Sequence, residues 1–136
     1  MNKFLPLLIL IMSPLLASDV ITQRQDSMQD FNKLMRSATQ SLKSGETEGL
    51  SQIYVDIEAI MTNYPTLFPE DSFEGKTKAS KNIIDDRSTF NQISSEAAEW
   101  AALAKIAADN NDLETLQQHH QNLYGSCKSC HSRFKN

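Results

Sequence analysis

The sequence predicts an all-α fold, an antiparallel four-helix bundle, on two main observations. Four segments repeat apolar residues every three or four positions, which is the pattern of a helix with one buried face. Glycine and proline number only four each in 136 residues, and the chain shows no strand-like alternation. Short links at two junctions and one longer crossover predict that the helices pack as an antiparallel bundle.

Residues 1–17 have the form of a secretory signal peptide. A lysine precedes an apolar stretch from Phe4 to Leu16, and the small residue Ala17 follows. The stretch is short for a membrane span, and no cysteine follows it to carry a lipid. We therefore expect cleavage near Ala17 or Ser18, no stable membrane anchor, and one bundle domain over residues 18–136.

The first two helices follow from the spacing of their inward-facing residues. The first is predicted from Ser18 to about Lys43, and Gly45 ends it. The second is shorter and stops before Pro65, because the residue before a proline disfavours helical geometry. The inward stripe of the first helix consists of Ile21, Arg24, Met28, Phe31, Met35, Ala38 and Leu42. That of the second consists of Leu50, Ile53, Ile57, Ile60 and Tyr64.

The second half of the chain predicts a crossover and two more helices. Periodicity disappears from Thr66 to about Ser80, which predicts a surface crossover with Leu67–Phe68 tucked under the bundle. A third helix is expected from near Ile83 to the Asn110–Asn111 turn. The fourth helix carries both cysteines on its core stripe, which consists of Leu113, Leu116, His120, Leu123, Cys127, Cys130 and Phe134.

The last turns of the fourth helix contain the arrangement Cys127-x-x-Cys130-His131, which is the motif for covalent attachment of a c-type haem. On a helix the three side chains share one face, since each residue turns the direction by about 100°. Two thiols can then bond the porphyrin while the imidazole binds its iron. The sequence therefore predicts one covalent haem c near the C-terminus of helix 4, held by Cys127 and Cys130, with His131 as proximal iron ligand.

Other uses of this cysteine pair fit less well. A thioredoxin-like dithiol lies at a helix N-terminus, whereas this pair lies near a helix end, where the dipole has the wrong sign. A zinc site needs three or four ligands, and His120 is about 10 Å along the helix from Cys127. A disulfide within one helix would close a very small loop and restrain little.

The chain resembles the class II cytochromes c, that is, the cytochromes c′ and their low-spin, methionine-ligated relatives. Those proteins carry C-x-x-C-H near the end of the fourth helix, and the Arg24–Gln25 pair followed by Met28 is similar to a pattern in their first helix. The segment 67–69 also looks like their link between helices two and three. One departure is Lys135, because these proteins typically carry arginine after the aromatic residue that Phe134 matches.

The resemblance implies that Met28 occupies the distal side of the haem. As an iron ligand it would give a six-coordinate, low-spin iron suited to electron transfer. As an unbonded side chain it would only cover the distal pocket. Met35 and Met61 are expected to be core, and His119 and His120 lie about 17 Å along the helix from His131, too far to bind the same iron.

The resemblance also implies that Arg24 pairs with a haem propionate. The alternative from the residues alone is an arginine at a bundle end that extends its charge into water.

The function expected from motif and resemblance is a periplasmic one-electron carrier that exchanges electrons with protein redox partners. The alternative is a five-coordinate protein that binds nitric oxide or carbon monoxide. No acid–base set points to an enzyme, and a chain with net charge −4 is a poor nucleic-acid binder. Three basic residues, Lys128, Arg133 and Lys135, could guide an acidic redox partner.

Two weaker expectations concern the surface. A homodimer is possible through the first two helices, with apolar contact from Leu50, Ile53 and Tyr54, although the bundle needs much of that surface for its own core. His119 and His120 are expected to face solvent or an interface.

Overall fold

The computed structural model describes residues 15–136, with side chains from residue 19 onward. The predicted signal segment 1–17 lies outside this range apart from the backbone of its last three residues. The helices are α1 (Leu15–Ser44), α2 (Leu50–Asn63), α3 (Asn82–Asp85), α4 (Arg87–Asp109) and α5 (Leu113–Phe134), and a 3₁₀ turn covers Tyr64–Leu67. Among these helices none is long and apolar enough to cross a membrane.

The four long helices form the predicted bundle, in the order α1, α2, α4, α5. Side by side, α2 packs on α4, α4 packs on α5, and α1 packs on α2 and on the 3₁₀ turn. By contrast, the backbones of α1 and α5 lie further apart, and their side chains meet at places such as the Thr39–His120 hydrogen bond. The fourth side of the bundle is therefore the least closely packed. The core between the helices is built from residues of the predicted stripes.

Most helix ends lie where local sequence signals place them. After Ser44, Gly45 has a φ of 73°, and Asn111 has a φ of 53° in the turn before α5. Both values lie in the left-handed region that glycine and asparagine tolerate. The helical segment before Pro65 ends at Asn63 and tightens into the 3₁₀ turn.

The predicted third helix is divided into two helices. Asp86 has a φ of −129° and separates the single turn of α3 from α4. Its Oδ1 accepts a hydrogen bond from the Thr89 amide at 3.4 Å, as an N-cap does. The helical spacing of apolar residues continues across the break, from Ile83 to Phe90. The sequence pattern therefore did not predict the break.

The crossover is more deeply buried than a surface segment. Leu67 and Phe68 are buried under the bundle, as predicted, and Ser72 and Phe73 are buried with them. An aromatic cluster forms here around Phe90, whose ring meets those of Phe68 and Phe134 edge to face, with centroids 4.8 and 5.3 Å apart. The cluster consists of Leu67, Phe68, Phe73, Ile83, Phe90 and Phe134.

The end of α5 is tied to the crossover by backbone pairing. Ala79 and Lys135 form an isolated antiparallel bridge. The Ser80 amide donates to the Phe134 carbonyl at 2.9 Å, and the Asn136 amide donates to the Lys78 carbonyl at 2.7 Å. Two segments more than fifty residues apart are thereby held side by side at the cysteine-bearing end of the bundle.

Two expectations about the surface are wrong. Leu50 and Tyr54 are fully buried in the bundle core, so neither supplies the apolar contact of a dimer. His120 does not face solvent, since only 7% of it is exposed. Its ring lies 2.9 Å from the Tyr54 hydroxyl through Nδ1 and 3.0 Å from Thr39 Oγ1 through Nε2, which stabilises the buried imidazole.

Candidate functional site

The three residues of the attachment motif border one cavity at the end of α5. Cys127, Cys130 and His131 all line it. Both thiols are free and half-buried, with Cys127 against the bundle core and Cys130 against the aromatic cluster. The predicted common face of the motif is therefore present in the fold.

Burial sets the protonation of these groups in the protein without haem. It raises the pKa of the Cys127 thiol and raises that of Cys130 to about 11, with a smaller effect from Cys127 on Cys130. Burial also lowers the pKa of the His131 imidazole, and the charge of Lys135 lowers it further. A neutral imidazole is the form that binds iron.

The cavity has a volume of about 370 Å³ and lies between α5, α1, α4 and the crossover. A second cavity of about 910 Å³ follows the least closely packed side of the bundle, between α1 and α5. The two share four lining residues, Phe31, Asn32, Cys127 and His131. The two cavities therefore adjoin, and we call them together the groove; Cys127 and His131 lie where they meet.

The first cavity of the groove fits a haem in volume and in chemistry. Its volume is in the range of cofactor sites, and aromatic and aliphatic side chains such as Phe31, Phe68 and Phe90 supply much of its wall. Among residues 19–136, no aspartate or glutamate lines either cavity, whereas Arg24, Lys78 and Lys135 line the first. The apolar part of this wall would match the ring system of a haem, and the basic residues would match its anionic propionates.

The methionines are distributed differently from what the sequence alone indicated. Met28 is half-buried and lines the first cavity from α1, facing the same space as His131. Met35 is buried core on the second cavity, as expected. Met61 is also buried but lines the first cavity, so two methionine side chains reach the wall of the candidate haem site.

Arg24 is 2% exposed and does not extend into water, so the alternative of an arginine with a solvated charge is wrong. Its Nη1 donates to the Leu67 carbonyl at 3.1 Å and to Ser72 Oγ at 2.8 Å. Its Nη2 donates to the Ser72 carbonyl at 2.6 Å and to Thr77 Oγ1 at 2.8 Å. These bonds use the four N–H groups of the two terminal nitrogens.

The charge of Arg24 has no acidic partner among the residues that the structure describes. The guanidinium lies over the Phe68 and Phe73 rings, 4.6 and 5.5 Å from their centroids. Burial accordingly lowers its pKa. A buried cation at the wall of a cavity favours an anion in that cavity.

Two further lining residues were missed by the sequence analysis. Tyr64 was assigned to the stripe of helix 2, but it lies in the 3₁₀ turn, lines the first cavity, and has its phenol pKa raised by burial. Lys78 lines the cavity from the crossover, where its carbonyl accepts a hydrogen bond from the Asn136 amide. No local pattern in the sequence signals that pairing.

Comparison with known proteins gives consistent results. The family model described as Cytochrome C' matches residues 19–135. Cytochrome c' of Rhodopseudomonas palustris is 27% identical over 122 residues, which cover 87% of this chain and 82% of that protein. The structure of cytochrome c prime from Shewanella frigidimarina matches with a TM-score of 0.81 at 24% identity, over 88% of this chain and 96% of that one.

A solved nitric oxide complex of a mutant cytochrome c prime from Alcaligenes xylosoxidans has the same fold, with a TM-score of 0.79 at 19% identity. The match covers 88% of this chain and 95% of that one.

Proposed function

This chain belongs to the cytochrome c′ family and is a haem-binding c-type cytochrome with covalent haem c, and we propose that it is a periplasmic one-electron carrier. Cys127 and Cys130 hold the haem through thioethers, and His131 binds its iron. The observation that carries this proposal is the shared position of these three side chains on one wall of the groove. Bound there, the haem supplies a centre that gains and loses one electron.

The chain's own residues would set the surroundings of that centre. The aromatic cluster packs against Cys130, and the bundle core packs against Cys127. Both attachment points are half-buried, whereas His131 is exposed. Apolar contact on one side of the haem would lower the local dielectric and reduce the solvent reorganisation on electron transfer.

In the carrier, Met28 would be the second residue to bind the iron. Two observations support this: Met28 lines the same cavity as His131, and it projects from α1, across the groove from α5. A Met/His pair suits electron transfer because it raises the reduction potential.

A second candidate function is the binding of nitric oxide or carbon monoxide at an iron without a methionine ligand. The nitric oxide complex of the Alcaligenes xylosoxidans mutant favours it, since that protein shares the fold. In this case Met28 would only cover the distal side, together with its neighbours Phe31 and Met61.

An absorption spectrum of the haem protein in both oxidation states separates the two functions. The carrier predicts a low-spin spectrum with sharp α and β bands after reduction. Met28→Leu should convert it to a high-spin spectrum that changes on adding carbon monoxide, while the matched variant Met61→Leu stays low-spin. A high-spin spectrum in the unaltered protein would show that Met28 does not bind the iron and would support gas binding.

Arg24 contributes its charge to a haem propionate. The support is its burial at the cavity wall without an acidic partner among the described residues. Removing this charge in Arg24→Met should lower the reduction potential, because the oxidised haem carries one more positive charge than the reduced haem. An unchanged potential in a fully loaded variant would refute the propionate role.

An electron carrier or gas-binding protein needs no acid–base catalyst, and this site offers little of one. The first cavity is lined by no carboxylate, and His131 is its only lining histidine among residues 19–136. Peroxide turnover by purified, fully loaded protein, surviving removal of free haem, would contradict this part of the proposal.

Export and assembly complete the proposal. The N-terminal segment directs the chain to the periplasm, and N-terminal sequencing should show that the mature protein begins at Ser18 or Asp19.

Dimerisation would have to use surface other than Leu50 and Tyr54, which are core. Sedimentation at micromolar concentration distinguishes a dimer from a monomer.

A further inference from the structure

The groove carries a charge pattern opposite to that of the protein as a whole. Asp and Glu outnumber Lys and Arg by 17 to 13 in the chain. Nevertheless, no acidic residue in the described part of the chain lines either cavity. The same part contributes four exposed basic side chains to the linings, from three parts of the fold: Arg36, Lys43, Lys78 and Lys135. Exposed Lys128 follows Gln121 by seven residues on α5, so it lies on the same helix face as this residue of the second cavity wall.

We define these five residues, Arg36, Lys43, Lys78, Lys128 and Lys135, as the basic rim. Helix α1 supplies one side of it, and α5 with the crossover supplies the other. The C-terminal pairing brings Lys78 beside Lys135, since the Ala79–Lys135 bridge and the Asn136 amide fix the two segments together. The fold thus assembles a charge pattern that the sequence distributes over a hundred residues.

The charges of the basic rim are not neutralised within the protein. Among residues 19–136 the ion pairs involve Lys33, Lys81 and Lys105, and none of the five rim residues. The electrostatic field of an exposed, unpaired cation acts on a partner within about 10 Å at moderate salt. Five of them around one opening make that opening positive on an otherwise acidic molecule.

We propose that the basic rim is the docking surface for an acidic redox protein, which exchanges electrons with the haem through the side between α1 and α5. This inference rests on the proposed function as a carrier and names the chemistry of its partner. Charge of one sign around the site of electron exchange orients the encounter and raises its rate. The acidic remainder of the surface repels the same partner from unproductive faces.

The test uses haem-loaded protein on a gold electrode coated with a carboxylate-terminated alkanethiol monolayer, which serves as the acidic surface. A protein with more acidic than basic residues adsorbs there only through a localised positive face. At low ionic strength we expect a voltammetric signal from adsorbed wild-type protein, and a fall of about tenfold in Lys78→Gln/Lys128→Gln.

The matched control is Lys33→Gln/Lys105→Gln, which changes the net charge equally but removes ion-paired lysines outside the rim. This control should retain most of the signal. If substitutions near the motif reduce haem loading, Arg36→Gln/Lys43→Gln tests the opposite side of the rim. Equal losses in rim and control variants, or no adsorption of the wild type, would overturn the docking surface.

A separate measurement distinguishes failure of this inference from failure of the carrier function. With an uncharged mediator in solution, wild type and all variants should show one reversible electron per haem. If they do and the monolayer signals are equal, only the docking surface is wrong. If the haem does not cycle reversibly in the wild type, the carrier function is wrong, and the docking surface with it.

Discussion

At the residue scale, His120 shows how one buried side chain connects three helices. Thr39 Oγ1 donates its only proton to the Met35 carbonyl at 2.9 Å, so it can only accept from His120 Nε2–H. Nδ1 is then the acceptor for the Tyr54 hydroxyl. Both nitrogens of a neutral imidazole are satisfied, which explains why the ring is stable inside the bundle.

The Tyr54→Phe variant should destabilise the protein by about 1–3 kcal/mol, because it leaves His120 Nδ1 buried without a donor. Urea unfolding of the loaded protein measures the change. The control is Tyr124→Phe, which removes a hydroxyl from a side chain that is 62% exposed and should have little effect. If both variants lost equal stability, the buried hydrogen bond would not matter.

The stability of the protein should also depend on pH through His120. Burial lowers the pKa of this imidazole below its ordinary value of 6.5. The unfolded chain therefore binds a proton as the pH falls through about 6.5, before the folded protein does, and the folded state is progressively destabilised. Its neighbours Tyr54 and Thr39 carry no charge in this range.

Urea unfolding between pH 5 and 8 tests this dependence on the loaded protein. The free energy of unfolding should be highest above pH 6.5 and fall below it. His120→Gln is expected to weaken that fall. An identical pH profile in the variant would assign the acid sensitivity to other groups.

At the element scale, the sequence predicted the helix ends that nearby residues determine. It did not predict the features that depend on contacts between distant parts of the chain. Gly45 and Asn111 adopt left-handed geometry whatever packs on them, and the sequence placed both turns correctly. The break at Asp86 was missed because the apolar period crosses it without a gap. Likewise, the partners of Arg24 and His120 lie 43 to 81 residues away along the chain.

The crossover is an element whose structure depends on Arg24. Four hydrogen bonds from one guanidinium hold Leu67, Ser72 and Thr77 against α1. Arg24→Lys keeps the positive charge but has no planar fork to span these acceptors. Trypsin should then cleave the crossover after Lys76 or Lys78 several-fold faster than in the wild type.

Limited proteolysis followed by mass spectrometry reports the site and rate of cleavage. Arg36→Lys is the matched control, since it makes the same exchange on an exposed position of α1. Unchanged cleavage of the crossover in Arg24→Lys would show that the 3₁₀ turn and the aromatic cluster hold it without this residue.

At the scale of the whole molecule, the bundle is closely packed on three sides and less closely packed on the fourth. Because the backbones of α1 and α5 lie apart beside the motif, a haem in the groove would add contacts to α1 there. The sequence identified the attachment motif and the bundle. It did not show which pair of helices stands apart, since that depends on how all four pack.

Removing the attachment points should therefore loosen α1 more than the other helices. In Cys127→Ser/Cys130→Ser, hydrogen–deuterium exchange of α1 amides should accelerate relative to those of α4, which packs on both α2 and α5. The loaded wild type should show comparable protection in the two helices. A uniform acceleration in all helices would mean that haem stabilises the bundle as a single unit.

Two hydrogen-bonded contacts, at Arg24 and at Thr39, fix α1 to other parts of the fold. Arg24 fastens one end of the helix to the crossover, and Thr39 fastens the other through His120, about 22 Å away along the axis. The midpoint between the two anchors falls at Phe31 and Asn32, the two α1 residues that line both cavities. A haem in the groove would therefore meet α1 between its two anchors, where it could bind without breaking either of them.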